Sequence, residues 1–282
     1  MPELPELEVV KEVLRRRVAS TMIEAAEVLP PGGPVVVRDL TRLGFSHALA
    51  GATIGAADRR GKFLLIPIER AGAPVDSPLY LVVHPNLTGR LQLAAPSEKW
   101  HRRTHVVLSL SSGDELRYVD QRQMGQLYLA GELDWVPDFA AMGPEPFVIS
   151  LDEFRACLRQ YRGEIKGILT RGDLVAGIGN AYADEILWAA GIHPYRKRTQ
   201  LAPDDVERLY HAMQTTLRDA VERVRLEMGE AIHLEPRDFL AVHMKSGQPC
   251  PRCGTPILAV TANQRITNFC RTCQPGGLIQ GM

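Results

Sequence analysis

From Glu6 to about Ala19 the apolar residues Leu7, Val10, Val13, Leu14 and Val18 recur at intervals of three and four. That period predicts an amphipathic helix starting almost at the amino terminus, with Pro5 near its first turn. Between Ile23 and Ala130 the pattern changes to short β-rich runs: Val35–Val37, Phe63–Ile68, Leu79–Val83, His105–Leu110, Leu116–Val119 and Gln126–Leu129. Gly, Pro, Ser and Asp separate them, which predicts successive strands of an antiparallel sandwich or barrel. The stretch Asp134–Pro146, with Pro137, Gly143, Pro144 and Pro146, predicts a linker. Helical spacing returns in Leu151–Tyr161, Ala181–Ala190 and Asp204–Val224, the last opened by Pro203 and Asp204. The expected fold class is α+β, an N-terminal helix with an antiparallel β-sandwich followed by a helical C-terminal part. The expected division is residues 1–135, a linker at 136–150, a helical domain at 151–245 and a cysteine-bearing tail at 246–282.

A chain of 282 residues is long enough for two cores, and 45% hydrophobic with 23% charged residues is ordinary for a globular protein. No run of about 18 apolar residues occurs, and Glu3, Glu6, Glu8, Glu12, Arg15, Arg16 and Arg17 occupy the place of a signal core, so a cytosolic protein without a membrane segment is expected. The net charge of zero gives no bulk attraction to nucleic acid. Its distribution does. Leu240 to Met282 contains no acid but carries Lys245, Arg252, Arg265 and Arg271, and Arg59-Arg60-Lys62 and Arg196-Lys197-Arg198 are locally positive.

Cys250-Pro-Arg-Cys253 and Cys270-Arg-Thr-Cys273 are two CxxC pairs separated by sixteen residues. Each pair can place two thiolates on one side of a turn, and together they fit one tetrahedral structural zinc. A tail poor in apolar residues would take much of its folding free energy from that metal. Cys157, alone in a helical segment, is expected to be a packing residue. Between the pairs, Ile257–Phe269 is hairpin-like, and its turn carries Asn263-Gln264-Arg265, offering a cation to a phosphate.

The chain opens Met1-Pro2-Glu3-Leu4-Pro5-Glu6. A small second residue permits removal of the initiator methionine, which would expose Pro2 as a secondary amine able to form a permanently charged iminium with an aldehyde-level carbon. Glu3 could move protons beside it, and Glu6, one turn on, could pair with or orient the amine.

Taken together, these parts resemble the formamidopyrimidine-DNA glycosylase / endonuclease VIII family over essentially the whole chain. The resemblance is carried by the opening run, by Arg60-Gly61-Lys62-Phe63-Leu64-Leu65, by Asp120-Gln121-Arg122-Gln123-Met124-Gly125, by Ala176 to Glu185 and by Arg265 to Gln274. It implies a helix-two-turn-helix domain with a four-cysteine zinc finger, and a bifunctional glycosylase and abasic-site lyase of base excision repair. The partner would be damaged double-stranded DNA, the protein a monomer associated with the bacterial nucleoid. Site roles carry over residue by residue. Pro2 would be the nucleophile at C1′, Glu3 the acid and base, and Lys62 a phosphate contact near the lesion. Asn180, helped by the Gly177–Gly179 turn, Arg265 and His105 would also touch phosphates. Leu87, Arg122 and Met124 would fill the space left by an extruded base. Leu87 replaces the family's usual methionine and Met124 its usual aromatic wedge, Val242-His243-Met244-Lys245 departs from Val-Tyr-Gly-Arg, and Arg225–Ala241 is short for a loop capping 8-oxoguanine. Ring-opened purines and abasic sites are therefore expected ahead of oxidised pyrimidines and 8-oxoguanine. The competing readings are a damaged-DNA binder of the same family that does not cut, and a zinc-ribbon structural or ribosome-associated protein.

Overall fold

The computed structural model describes residues 1–74, 77–262 and 265–276. Helix α1 (Leu4–Arg17) starts two residues before the expected position, because Pro5 falls in its first turn and Glu3 takes the N-cap. Leu4, Leu7, Val10, Val13 and Leu14 are at most 5% exposed on its inner face. At about 1.5–3 kcal/mol for each fully buried large aliphatic side chain, that stripe fixes the amino terminus against the core.

The strands that follow are β1 (Ile23–Val28), β2 (Val37–Asp39), β3 (Thr53–Ile54), β4 (Asp58–Arg60), β5 (Phe63–Glu69), β6 (Tyr80–His84), β7 (Gly89–Ala94), β8 (Thr104–Leu110), β9 (Glu115–Asp120) and β10 (Gln126–Ala130). Between them lie the short helices α2 (Gly33–Val36) and α3 (Phe45–Leu49). One sheet is antiparallel with order β1-β8-β9-β7; the other runs β2-β10-β6-β5-β3, with β4 also paired to β5. Two expectations need correction. Val35 and Val36 are helical rather than strand, because Pro34 sits in the first turn of α2, and the strand begins at Val37. The sandwich is also not wholly antiparallel, since β2 pairs with β10 in parallel.

The later elements are α4 (Leu151–Arg159), α5 (Ile165–Leu169), α6 (Asn180–Ala190), α7 (Pro203–Met228) and the hairpin β11 (Leu258–Ala262) with β12 (Arg265–Phe269). A reciprocal capping box between Ser150 and Glu153 opens α4, and Gly191, at φ 66°, closes α6 in the left-handed conformation. Phe154, Leu169, Tyr182, Ile186, Leu209 and Leu217 are central to the core of this helical part. Asn263 and Gln264, expected in the hairpin turn, lie outside the described residues.

The chain forms two compact units, Met1–Ala141 with Val224–Pro236, and Met142–Arg223 with the residues from Arg237 onward. Residues 224–236, expected within the helical domain 151–245, cluster with the first unit. Within that unit Arg225 pairs with Glu12 at 2.8 Å, and Arg16 with Glu230 at 3.2 Å. Among the described residues no helix is long and apolar enough to cross a membrane.

Candidate active site and nucleic-acid interface

In the first unit, Pro2 and Glu3 are buried at the N-terminus of α1. Glu6 is expected to orient the terminal amine. Its carboxylate accepts the backbone N–H of Glu3 at 2.8 Å, holding the Pro2–Glu3 segment on the helix end, where the dipole favours both carboxylates. Glu235 meets the terminus: with Met1 in place, the terminal ammonium donates to its Oε1 at 3.0 Å, and Arg90 pairs with the same carboxylate. Nothing in the sequence marks Glu235, which is more than two hundred positions away.

Lys62 follows Gly61, which takes φ 56° to turn β4 into β5. Of the expected basic run, Arg59 is not available to a ligand: its guanidinium is 6% exposed and donates to Glu8 at 2.7 Å. His84 is a site residue that the sequence did not single out. Its ring stacks on Phe63 with centroids 4.2 Å apart, and its pKa is lowered to about 4 by burial first and by Lys62 second, so it is neutral at pH 7.

Leu87, Arg122 and Met124, the expected space-filling residues, lie on two loops that the tertiary structure joins. Leu87 and Met124 are 38% and 46% exposed, and Arg122 is exposed as well. Asp120, fully buried at the end of β9, accepts N–H groups from Arg122 at 3.1 Å and Gly125 at 2.8 Å and the hydroxyl of Tyr118 at 3.3 Å. Thr88 of the other loop also donates to Asp120, and Asn86 reaches across to the Met124 carbonyl at 2.7 Å. Asn86 and Gln123 adopt φ of 50° and 55°. The exposed apolar tips therefore stand on a closely bonded base. The tightness leaves no room for side chains beneath: a Cβ on Gly125 would overlap the Tyr118 hydroxyl and stand 2.8 Å from the Pro85 carbonyl.

His105, expected as a phosphate contact, points inward. It is 4% exposed, and its Nε2 lies 2.8 Å from the Asp120 carbonyl, packed against Gly32, so its geometry supports the Asp120 loop instead.

In the second unit, Asn180 and Arg265 line one cleft of about 370 Å³, together with Glu164, Lys166, Gly167, Thr170, Tyr195 and Thr267. Gly177 at φ 89° and Gly179 at the N-cap set the turn that starts α6. Asn180 Nδ2 donates to the Ile266 carbonyl at 2.9 Å, and Arg265 Nη1 donates to Thr170 Oγ1 at 3.3 Å. A buried network ties α6 to the hairpin: Lys166 Nζ lies 2.6 Å from Asp184 Oδ1, and Asp184 Oδ2 lies 2.8 Å from His243 Nδ1 and accepts the Asn268 N–H at 3.1 Å. Glu185 accepts the backbone N–H groups of Ala241, Val242 and His243, each at 2.8 Å. The unusual Val242–Lys245 run is thereby anchored. Arg196 of the second expected basic run is paired with Asp205 at 2.9 Å, and Arg198 donates to the carbonyls of Tyr161 and Arg159.

The Sγ atoms of Cys250, Cys253, Cys270 and Cys273 lie within 4.8 Å of one another. Cys250–Cys273 at 3.8 Å and Cys253–Cys270 at 3.4 Å are too long for disulfides. Both are close to the separation of about 3.8 Å that tetrahedral Zn–S bonds of about 2.3 Å impose. Trp188 Nε1 donates to Cys250 Sγ at 3.4 Å and the Cys273 N–H to Cys270 Sγ at 3.5 Å, as thiolate ligands require. The donor set fits zinc. The metal would hold the turns on which the hairpin stands.

Fold and site together define a zinc-finger, helix-two-turn-helix protein with an N-terminal β-sandwich. The model of the formamidopyrimidine-DNA glycosylase N-terminal domain matches residues 1–127, that of its H2TH domain residues 142–229, and that of the zinc finger found in FPG and IleRS residues 247–276. The formamidopyrimidine-DNA glycosylase of Symbiobacterium thermophilum is 38% identical, with 98% of this chain and 90% of that protein covered. That of Moorella thermoacetica is 39% identical, with 91% and 93% covered. A solved complex of the Lactococcus lactis enzyme with DNA containing an abasic site superposes with a TM-score of 0.84 at 30% identity, covering 97% of this chain and 100% of that one. A complex of a mutant of the same enzyme with Fapy-dG DNA gives 0.83 at 31% identity, covering 98% and 100%. The chain belongs to the formamidopyrimidine-DNA glycosylase family.

Proposed function

We propose that this protein is a DNA glycosylase of base excision repair that also cleaves the strand as an abasic-site lyase. Removal of Met1 frees the Pro2 imino nitrogen, which attacks C1′ of a damaged nucleotide while the base departs. The resulting iminium draws electrons from the sugar, and β- or β,δ-elimination follows. Glu3 moves protons at the deoxyribose, Lys62 with neutral His84 beside it meets phosphate, and Leu87, Arg122 and Met124 occupy the stack. Asn180 and Arg265 hold backbone phosphates. Ring-opened purines and abasic sites are the substrates favoured by the short 225–241 segment, ahead of oxidised pyrimidines and 8-oxoguanine. The protein acts as a monomer with one structural zinc.

The observation that carries this reading is the seating of the amino terminus: Pro2 and Glu3 are buried on the end of α1, and the terminal nitrogen sits on an Arg90–Glu235 ion pair, an ordered setting that a passive chain end has no need of. Borohydride added to the processed protein on an abasic duplex should yield a covalent adduct. Protein retaining Met1, or Pro2→Gly, should trap little, and Glu3→Gln should bind DNA without cutting it. Processed wild-type protein that forms no adduct and cuts none of a panel of single-lesion duplexes would sink the proposal.

A further inference from the structure

Helix α7 ends at Met228, and Gly229 follows at φ 54°. The chain then turns tightly, with the Ala231 N–H on the Met228 carbonyl at 3.0 Å and the Leu234 N–H on the Ala231 carbonyl at 2.8 Å. Met228 and Ile232 are at most 3% exposed. With Leu234 they line a small hollow beside Pro2, whose other walls include Leu7 and Val10 of α1. Apolar burial thus fixes the segment that follows α7 against the start of the chain, all within the first unit.

Glu235, the next residue, brings a partly buried carboxylate to the terminus. Its Oε1 accepts the Met1 ammonium at 3.0 Å, and its Oε2 pairs with Nη2 of Arg90 on β7, so each oxygen faces a cation. Glu3 and Glu6, at the start of α1, cap one another across the first helical turn. A carboxylate alone would favour the ammonium form of the terminal nitrogen and so hold back its lone pair. A guanidinium on the same carboxylate offsets that pull. Loss of Met1 moves the terminus back by one residue, about 3.8 Å along the chain, to Pro2 at the edge of the hollow. With an α-amino pKa of about 8, the nitrogen is largely protonated at neutral pH, and that proton must leave before a bond to carbon can form.

We propose that Glu235 accepts the proton that the Pro2 ammonium loses before it attacks, with Arg90 holding the carboxylate in place. This role rests on the lyase reading above and adds a residue to it. The protonated imino group carries two hydrogens. One passes to Glu235, freeing the lone pair that forms the N–C1′ bond while the C1′–base bond breaks and its electron pair departs with the base. The second is lost to water, and the nitrogen then expels O4′, which takes a proton from Glu3 as the iminium forms. The segment too short to cap a base thus serves the nucleophile instead.

The test follows the rate of borohydride trapping on an abasic duplex between about pH 6 and pH 9.5, using saturating, zinc-loaded protein shown by intact mass to have lost Met1. Glu235→Gln keeps the shape of the side chain and an acceptor for Arg90 but takes no proton. It should slow adduct formation about tenfold or more near pH 6.5, since a positioned base contributes roughly 10²–10⁴. The deficit should close to within about twofold near pH 9.5, where solvent has already removed the proton. Glu235→Asp retains a base and should regain part of the rate at low pH, and its own smaller deficit should close in the same way if the amide variant does not fold. A deficit equal at every pH, or none, would overturn the proposal and leave the lyase reading standing. Wild-type protein that traps no adduct at any pH would remove the lyase reading, and this role of Glu235 with it.

Discussion

His84 and Gly125 show how single residues set the properties of the site. Burial and the neighbouring Lys62 hold His84 at a pKa of about 4, below the ordinary 6.5. In the unfolded chain it takes up a proton near 6.5, so the folded form is favoured by this residue above that pH and loses the advantage as pH falls toward 4. Urea unfolding at pH 7 and pH 4.5 should therefore show an acid limb worth on the order of 2–3 kcal/mol that His84→Phe flattens. Gly125 is the opposite case, a residue that matters for what it lacks. Gly125→Ala should cost about 1–3 kcal/mol through overlap with the Tyr118 hydroxyl. Tyr118→Phe added to it should recover part of that loss, and the double-mutant cycle is the measurement. The identity of Gly125 was visible in the sequence, but the hydroxyl beneath it was not.

At the scale of elements, periodicity was a good guide where one face is buried and a poor one where chain punctuation decides. The apolar stripe of α1 and the runs of β5, β6, β8, β9 and β10 stand where the pattern predicts them. Val35–Val37 failed because Pro34 starts a helical turn, and β1 and β7 were missed because Ile23–Val28 and Gly89–Ala94 mix polar and small residues. The hairpin β11–β12 depends on the cysteine turns and on the Asp184 network. Chelation should accordingly abolish ordered near-ultraviolet signal from Trp188, which donates to Cys250, and zinc should restore it. Asp184→Ala leaves Lys166 buried without its carboxylate and should destabilise the unit by about 3–5 kcal/mol, read by denaturant unfolding.

For the whole molecule, a net charge of zero conceals the arrangement that matters. Part of each basic run is internal to the fold: Arg59 is bound to Glu8 and Arg196 to Asp205. Lys62 and Arg265 remain the candidate cationic phosphate contacts, and with them a neutral protein should still bind duplex DNA with a salt slope of at least about −1.8. A slope near zero, measured by anisotropy over a tenfold salt range, would count against that assignment.

The local alphabet of this chain was enough to determine the α+β class, the amphipathic first helix and the four-thiolate zinc set, because each depends on spacing within a few residues of the chain. The sequence also displayed Pro2, Glu3, Lys62, Asn180 and Arg265 as motif positions. Pairings across distance came from the tertiary structure: Glu235 to the amino terminus, His84 to Lys62, Asp120 to two loops, and His105 turned inward. Such contacts arise from the closing of sheets and cores, where burial selects partners by position in space, and no period along the chain records them.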